Sequence, residues 1–358
     1  MSGLSQKVKV AILRVMREAH GALGSSRVAD GIQAFGHDVS PRTIRVYLED
    51  MEKEGLVEHA LRGRSGGRTI TQKGIDEIGR ALVLDRVGMT AVKVDNLAWK
   101  MDFDLRKKAG RVVLNISTIN ERALPVALRI MRPVYAAGMA MGEYLTVFPS
   151  GSQLDEFEIP EGMVGIGTVC SVTVNGVLLN RRIPTISRFG GVLELEEGIP
   201  ARFTDVIYYD GTSLDPLEIF IKGKLMRVQE AVSSGHGRIG ASFREFPTSA
   251  GDEVRVTLKA MQRTGLGGVL LMGRPNQPVL GFPVHEGRTG FIVAGGLNPL
   301  AAVEEAGIKT ENFAFSQLYD FDALTHYTEI ELKLGIPPRR STRRAQHPAP
   351  PPTSPGTR

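Results

Sequence analysis

The segment "VSPRTIRVYLEDMEKEGLVE", residues 39–58, leaves the chain little conformational choice. Ser40 supplies an N-cap, Pro41 takes the first helical position, where its missing N–H costs nothing, and Gly55 provides a stop. Between these signals Ile44, Tyr47, Leu48 and Met51 recur at steps of three and four, so one helical face must be buried against something. The preceding residues provide the partners. Residues 7–20 place Val8, Ile12, Val15 and Ala19 on one face; a second helix opens with Ser25 or Ser26 as N-cap, turns Val28, Ala29, Ile32 and Phe35 inward, and ends at Gly36. Three short helices with a Gly-containing turn predict a helix-turn-helix.

"LVEHALRGRSGGRTITQKG" then reads as strand, glycine-rich tip, strand, and helical spacing resumes from Thr71 to Leu84 through Ile75, Ile78 and Leu82. That order is a winged helix, expected over residues 1–82. On its third helix the outward face begins with Arg42, Thr43, Arg45 and Val46, while Glu49, Asp50, Glu52 and Glu54 crowd the far end. A recognition helix enters the major groove of double-stranded DNA by its N-terminal half, where Arg and Thr reach base edges, so this polarity fits. Arg62, Arg64 and Arg68 fall on the wing, placed for flanking phosphate or the minor groove. Two other readings of the basic strip stand beside this one. A nucleotide-phosphate cradle wants a GK[ST]-like end opening a helix, which "GRSGGRT" lacks; a protein-interaction module would carry the same charge as a solvated face.

The net charge of +5 is concentrated at the ends: residues 1–80 hold 13 Lys+Arg against 10 Asp+Glu, and residues 337–358 hold five Arg and no acid. The middle retains 26 basic and 29 acidic residues, so only the terminal modules are biased towards a polyanion. No apolar run reaches the length needed to span a bilayer, and the N-terminus lacks the uninterrupted apolar core of a secretory signal, so no membrane association and a cytoplasmic location are expected. The lone Cys170 builds neither an internal disulfide nor a thiolate metal site.

Residues 83–335 alternate β-branched segments with glycine-rich turns and predict a large α+β domain, joined to the winged helix through the connector "LVLDRVGMTAVKVD". The fold class expected is therefore α+β, an N-terminal winged helix-turn-helix followed by a large regulatory domain. Within that domain "NGVLLNRRIP" at 175 is echoed by "GGVLLMGRPNQP" at 267, and "SLDPLEIF" at 213 by "GLNPLAAV" at 296. Duplication and chance recurrence of turn chemistry both account for the echoes. On the first reading GVLL is a strand, and Asp215 or Asn298 caps a helix that Pro216 or Pro299 opens. Residues 336–358, rich in Pro, Ser and Arg, are expected to be a disordered tail. No G-x-S-x-G, H-E-x-x-H or GxGxxG occurs in the middle, and the histidines show no metal-ligand spacing, so no enzyme, metal or cofactor is expected.

Residues 164–221, with "GTVCS", "NGVLL", "SRFGG" and "DGTSLDPLEIFI", closely resemble the ligand-responsive domain of the NrpR nitrogen-regulatory repressors of methanogenic archaea. The resemblance continues less tightly over about residues 85–335, and the winged helix matches the family's domain order. It implies a homodimer that represses nitrogen-assimilation genes and releases operator DNA when 2-oxoglutarate binds. Many relatives carry two ligand domains in tandem, whereas this chain has room for one. A small anionic metabolite needs cationic or N–H donors of matching shape. Arg188 in "SRFGG" is the foremost candidate, followed by Arg181, Arg182 and Arg202, with hydroxyls from Thr168, Ser171, Thr212 and Ser213 and a contact from Cys170. The alternatives are a metabolic enzyme with an attached winged helix, or a DNA-binding or interaction protein without an effector.

Overall fold

The computed structural model describes residues 3–19, 21–60, 67–78, 88–155 and 158–337. They gather into two compact units, one running up to Asn96 and including Ser187–Gly190 and Val206–Pro216, the other comprising the rest.

The first unit is built from α1 (Gly3–Glu18), α2 (Ser25–Ile32), α3 (Pro41–Lys53), β1 (Val57–His59) and β2 (Arg68–Ile70). Ile12, Leu13, Met16, Val28, Ile32, Ile44, Leu48 and Met51 form its core. Gly31 lets α2 lie on α1, since a Cβ there would sit 2.6 Å from Val15 Cγ1. The signals around α3 act as read from sequence: Ser40 Oγ accepts from Thr43 N at 3.3 Å, and Gly55 closes the helix at φ 73°. The start of α2 differs, because extended Gly24 occupies the N-cap and Ser25 is already helical. Glycine is itself a favoured N-cap, and no side chain caps this end. β1 and β2 pair antiparallel with His59 opposite Arg68, and Leu23 adds a third backbone rung, exchanging two 3.0 Å hydrogen bonds with Arg68. Residues 72–78 are helical. The wing tip, with Arg62 and Arg64, and the tail from 338 lie outside the described residues. The connector read from sequence is in part a helix, Met89–Lys100.

From Arg111 onwards the same order of elements occurs twice, with Ser187–Gly190 of β6 and the end of β7 counted in the first unit. β3 (Arg111–Asn120), the helix Leu124–Ala136, β4 (Tyr144–Phe148), β5 (Met163–Val169), the helix Val172–Leu179, β6 (Ile186–Glu196) and β7 (Ile199–Tyr208) make the first half. β8 (Gly237–Pro247), the helix Gly251–Arg263, β9 (Val269–Met272), β10 (Arg288–Ala294), the helix Asn298–Glu305, β11 (Glu311–Asp320) and β12 (Thr325–His326) make the second. Corresponding elements start 125 to 127 residues apart: 111 and 237, 124 and 251, 163 and 288, 172 and 298, 186 and 311. The sheets run β7-β6-β8-β10-β9 and β11-β3-β5-β4-β12. Each half thus lends a long strand to the other, β6 lying beside β8 and β11 beside β3.

The two halves also share a clip. Thr173 Oγ1 accepts from Val113 N at 3.2 Å and donates to Val113 O at 3.4 Å, tying the first turn of its helix to β3. Asn298 does the same to Gly240 in β8, its Oδ1 accepting at 2.8 Å and its Nδ2 donating at 2.9 Å, with a further 2.7 Å bond to Met139 O. Asn298 is therefore the first helical residue and a long-range tie, with Leu297 at the N-cap, rather than the cap read from sequence. The two strand-to-helix turns meet at Gly296, whose missing Cβ leaves room for the carbonyl of Val169 and for Asn115 Nδ2.

The duplication is real but its register is not that of the sequence echoes. GVLL at 176–179 is helical, whereas Val269–Met272 is a strand, and the counterpart of Asn298–Glu305 is Val172–Leu179 rather than Pro216–Lys222. The echoes are spaced 92 and 83 residues apart, too short for the structural repeat.

Candidate functional site

On α3 the described side chains Arg42, Thr43, Arg45 and Val46 are all exposed, as Ile44 and Leu48 point into the core. Arg42, Arg45, Glu49 and Glu52 fall in one stripe at steps of three and four, cationic at the helix N-terminus and anionic at its far end. Thr43 is turned towards Ser40, with its Oγ1 3.0 Å from the Ser40 hydroxyl. Beside this stripe runs a groove of about 690 Å³, lined by Ser25, Ser26 and Arg27 of α2, Arg45 and Glu49 of α3, and the wing base at His59 and Arg68.

Of the acids at the far end of α3, Glu52 and Glu54 are paired within the unit. Glu52 Oε2 accepts from Arg68 Nε at 3.1 Å and Nη2 at 3.0 Å, and Glu52 Oε1 stands 3.5 Å from His59 Nε2. Glu54 pairs with the buried Lys9 at 2.6 Å, and its carbonyl accepts from Lys73 Nζ at 2.6 Å, which also neutralises the helix C-terminus. Sequence reading placed Arg68 on the wing with Arg62 and Arg64, for flanking phosphate or the minor groove. Its side chain is only 10% exposed, because the ladder to Leu23 draws β2 inward and Glu52 receives the guanidinium.

The residues read as effector ligands divide between the two units. Thr168, Cys170 and Ser171 lie in the second, where β5 turns into the helix Val172–Leu179, and all three are buried. Cys170 N donates to Val113 O at 2.8 Å, and Thr168 Oγ1 is buried with no hydrogen-bond partner among the described residues. Ser171 receives Arg244, whose Nη1 donates to its carbonyl and Nη2 to its Oγ, both at 2.9 Å. Arg244 is 1% exposed and was missed in the sequence; the one local sign was the charged pair Arg244-Glu245 set between Phe243 and Phe246 in β8, which does not name its partner. Arg188, Thr212 and Ser213 lie in the first unit, Arg188 half-buried on β6 and Thr212 buried with its Oγ1 donating to Leu214 O at 2.8 Å. Arg181 and Arg202 are committed to Glu253 and Glu194 at 3.0 and 2.5 Å.

No helix among the described residues is long and apolar enough to cross a membrane. Two family models match: NrpR regulatory domains NRD1 and 2 over residues 87–326, and the ribonuclease R winged-helix domain over residues 10–78. The global nitrogen regulator NrpRI of Methanosarcina mazei is 33% identical over 316 residues, 88% of this chain and 96% of that protein. The global nitrogen regulator NrpR of Methanococcus maripaludis is 28% identical over 91% of this chain, which spans 56% of that longer relative. A solved nitrogen repressor-like protein from Methanococcus jannaschii is similar at a TM-score of 0.57 and 27% identity, covering 66% of this chain and 98% of that one. These relatives are named as regulators and not as enzymes. With two thirds of its length matching the regulatory-domain model behind a winged helix, the chain belongs to the NrpR family of nitrogen regulators.

Proposed function

We propose that this chain is a cytoplasmic transcriptional repressor of nitrogen-assimilation genes, binding operator DNA as a homodimer and leaving it when 2-oxoglutarate binds. The observation that carries the DNA half is the outward stripe of α3, cationic where a helix enters the groove, while Glu52 at its far end is spent on Arg68. Arg42, Thr43 and Arg45 read base edges, Val46 offers an apolar contact to a thymine methyl, and Arg62 and Arg64 meet the backbone from the wing. Membership of the NrpR family supports nitrogen control.

The effector reading rests on two sets of candidates for a dicarboxylate, each taken within its own unit: Thr168, Cys170 and Ser171, with Arg244 fixing the Ser171 end of β5, and Arg188, Thr212 and Ser213. The ligand shifts operator affinity by binding one dimer geometry better than the other, without chemistry on itself. Binding of fluorescent duplexes at fixed salt tests the DNA half. Arg42→Ala with Arg45→Ala removes the preference for a duplex selected from a random pool, while Arg62→Ala with Arg64→Ala weakens all duplexes and lowers the salt slope by about two. Unchanged binding in both double variants rejects the assignment.

A further inference from the structure

We propose that the Glu52–Arg68 pair is a clamp that sets the wing against the recognition helix, and that Arg68 acts on DNA through this placement and not by touching phosphate. The proposal rests on the DNA-binding reading and adds positioning residues to it. Three observations converge on one residue. The Arg68 backbone is tied to Leu23 by a reciprocal pair of 3.0 Å hydrogen bonds, and Gly67 beside it packs closely on the same residue, a Cβ there lying 3.2 Å from Leu23 N and C. The Arg68 guanidinium turns the edge made by Nε and Nη2 onto a single oxygen of Glu52. The other carboxylate oxygen stands 3.5 Å from Nε2 of His59, the cross-strand neighbour of Arg68, so one acid of α3 faces both strands of the wing base.

Glu52 lies seven residues beyond Arg45 on the same stripe, and the clamp therefore links the wing base to the very face that carries the base-reading cations. At 10% exposure Arg68 has little surface left for a phosphate. Removing Glu52 leaves the largely buried Arg68 charge uncompensated, and the wing base relieves it by moving away from α3 towards water, while removing Arg68 takes away the tie itself.

The two roles give opposite signs for one substitution. If Arg68 contacted phosphate, neutralising Glu52 would release the guanidinium, remove a negative charge from the interface and tighten DNA binding. If the pair is a clamp, Glu52→Gln weakens binding although it makes the unit more positive. The test uses the full chain and two fluorescent duplexes, one selected from a random pool and one scrambled, titrated over a series of salt concentrations. Melting followed by circular dichroism confirms folding, and Glu52→Asp, which keeps the charge but withdraws it, replaces Glu52→Gln if that variant unfolds. The expected result is a roughly tenfold loss for both duplexes in Glu52→Gln, the factor that follows when the competent wing geometry is populated about one-tenth of the time. Arg68→Gln shows a similar loss with an unchanged salt slope, and the double variant is no worse than either single one. Tighter or unchanged binding by Glu52→Gln, or a salt slope lowered by about one in Arg68→Gln, overturns the clamp and makes Arg68 a phosphate contact. If the parent protein binds neither duplex, the DNA-binding reading fails and the clamp with it.

Discussion

Asn298 shows how much of the second unit depends on single polar side chains. It is fully buried and satisfies the N–H and carbonyl of Gly240 as well as the carbonyl of Met139. Asn298→Ala takes the partner from the Gly240 N–H and the Met139 carbonyl, while the Gly240 carbonyl keeps its 2.8 Å bond from Gly295 N; at about 1–3 kcal/mol for each of the two orphaned groups, a loss near 3 kcal/mol is expected. Thermal unfolding should show the melting temperature falling by about 6–12 °C; a fall of a degree or less would mean that the tie carries no load. Ser40 is a smaller case. Its Oγ accepts the Thr43 N–H at the start of α3, so Ser40→Ala should cost about 1 kcal/mol, whereas Ser40→Asp should be nearly neutral. Equal losses in the two variants, read from chemical denaturation, would show that the cap bond is not what matters there. Ser40 was legible in the sequence because a cap and its partner lie three residues apart. Asn298 was read as a cap for the same local reason, and its real partners, Gly240 and Met139, lie 58 and 159 residues away. No local pattern announces them.

Among the elements, the duplicated order of strands and helices was only half legible. A repeat was visible as an idea, but the matching words GVLL belong to a helix in one place and a strand in the other. What the halves have in common is element length and spacing, together with a clip made by Thr173 in one and Asn298 in the other, which share no side-chain chemistry beyond hydrogen bonding. The turns preceding these two helices touch at Gly296. A methyl there would stand 2.6 Å from Asn115 Nδ2 and against the Val169 carbonyl, on the paired strands β3 and β5, so Gly296→Ala should force the turns apart and cost about 1–3 kcal/mol or more. Gly251 provides the contrast: it opens the helix Gly251–Arg263 in helical geometry, with nothing within 4 Å of its Cβ position, and Gly251→Ala should be neutral or stabilise by up to about 1 kcal/mol. Denaturation midpoints for the pair decide it; equal effects would remove the case for a close approach at Gly296. In the winged helix the legibility was better. The capped α3 and its paired strands followed from local signals, while the partner of Arg68 did not, since ion pairing between Glu52 and Arg68 depends on how β2 docks.

At the scale of the whole molecule, a winged helix precedes a regulatory unit in which two similar halves exchange strands, and the family shared with nitrogen regulators gives that combination its functional sense. The exchange makes each half dependent on the other for a sheet neighbour, so the unit should unfold as one cooperative body. The candidate effector residues were chosen for their chemistry in the sequence, and Arg244 became visible only when the fold carried β8 to Ser171. The central claim is that a dicarboxylate and DNA are linked through this chain. Its most direct test is the affinity of the full chain for a pool-selected duplex, measured by fluorescence anisotropy at fixed salt across a 2-oxoglutarate titration, with succinate as a control. The account predicts that 2-oxoglutarate weakens binding by roughly 5- to 150-fold, the range of a coupling of about 1–3 kcal/mol, while succinate does much less. An affinity that stays constant across the titration would contradict it.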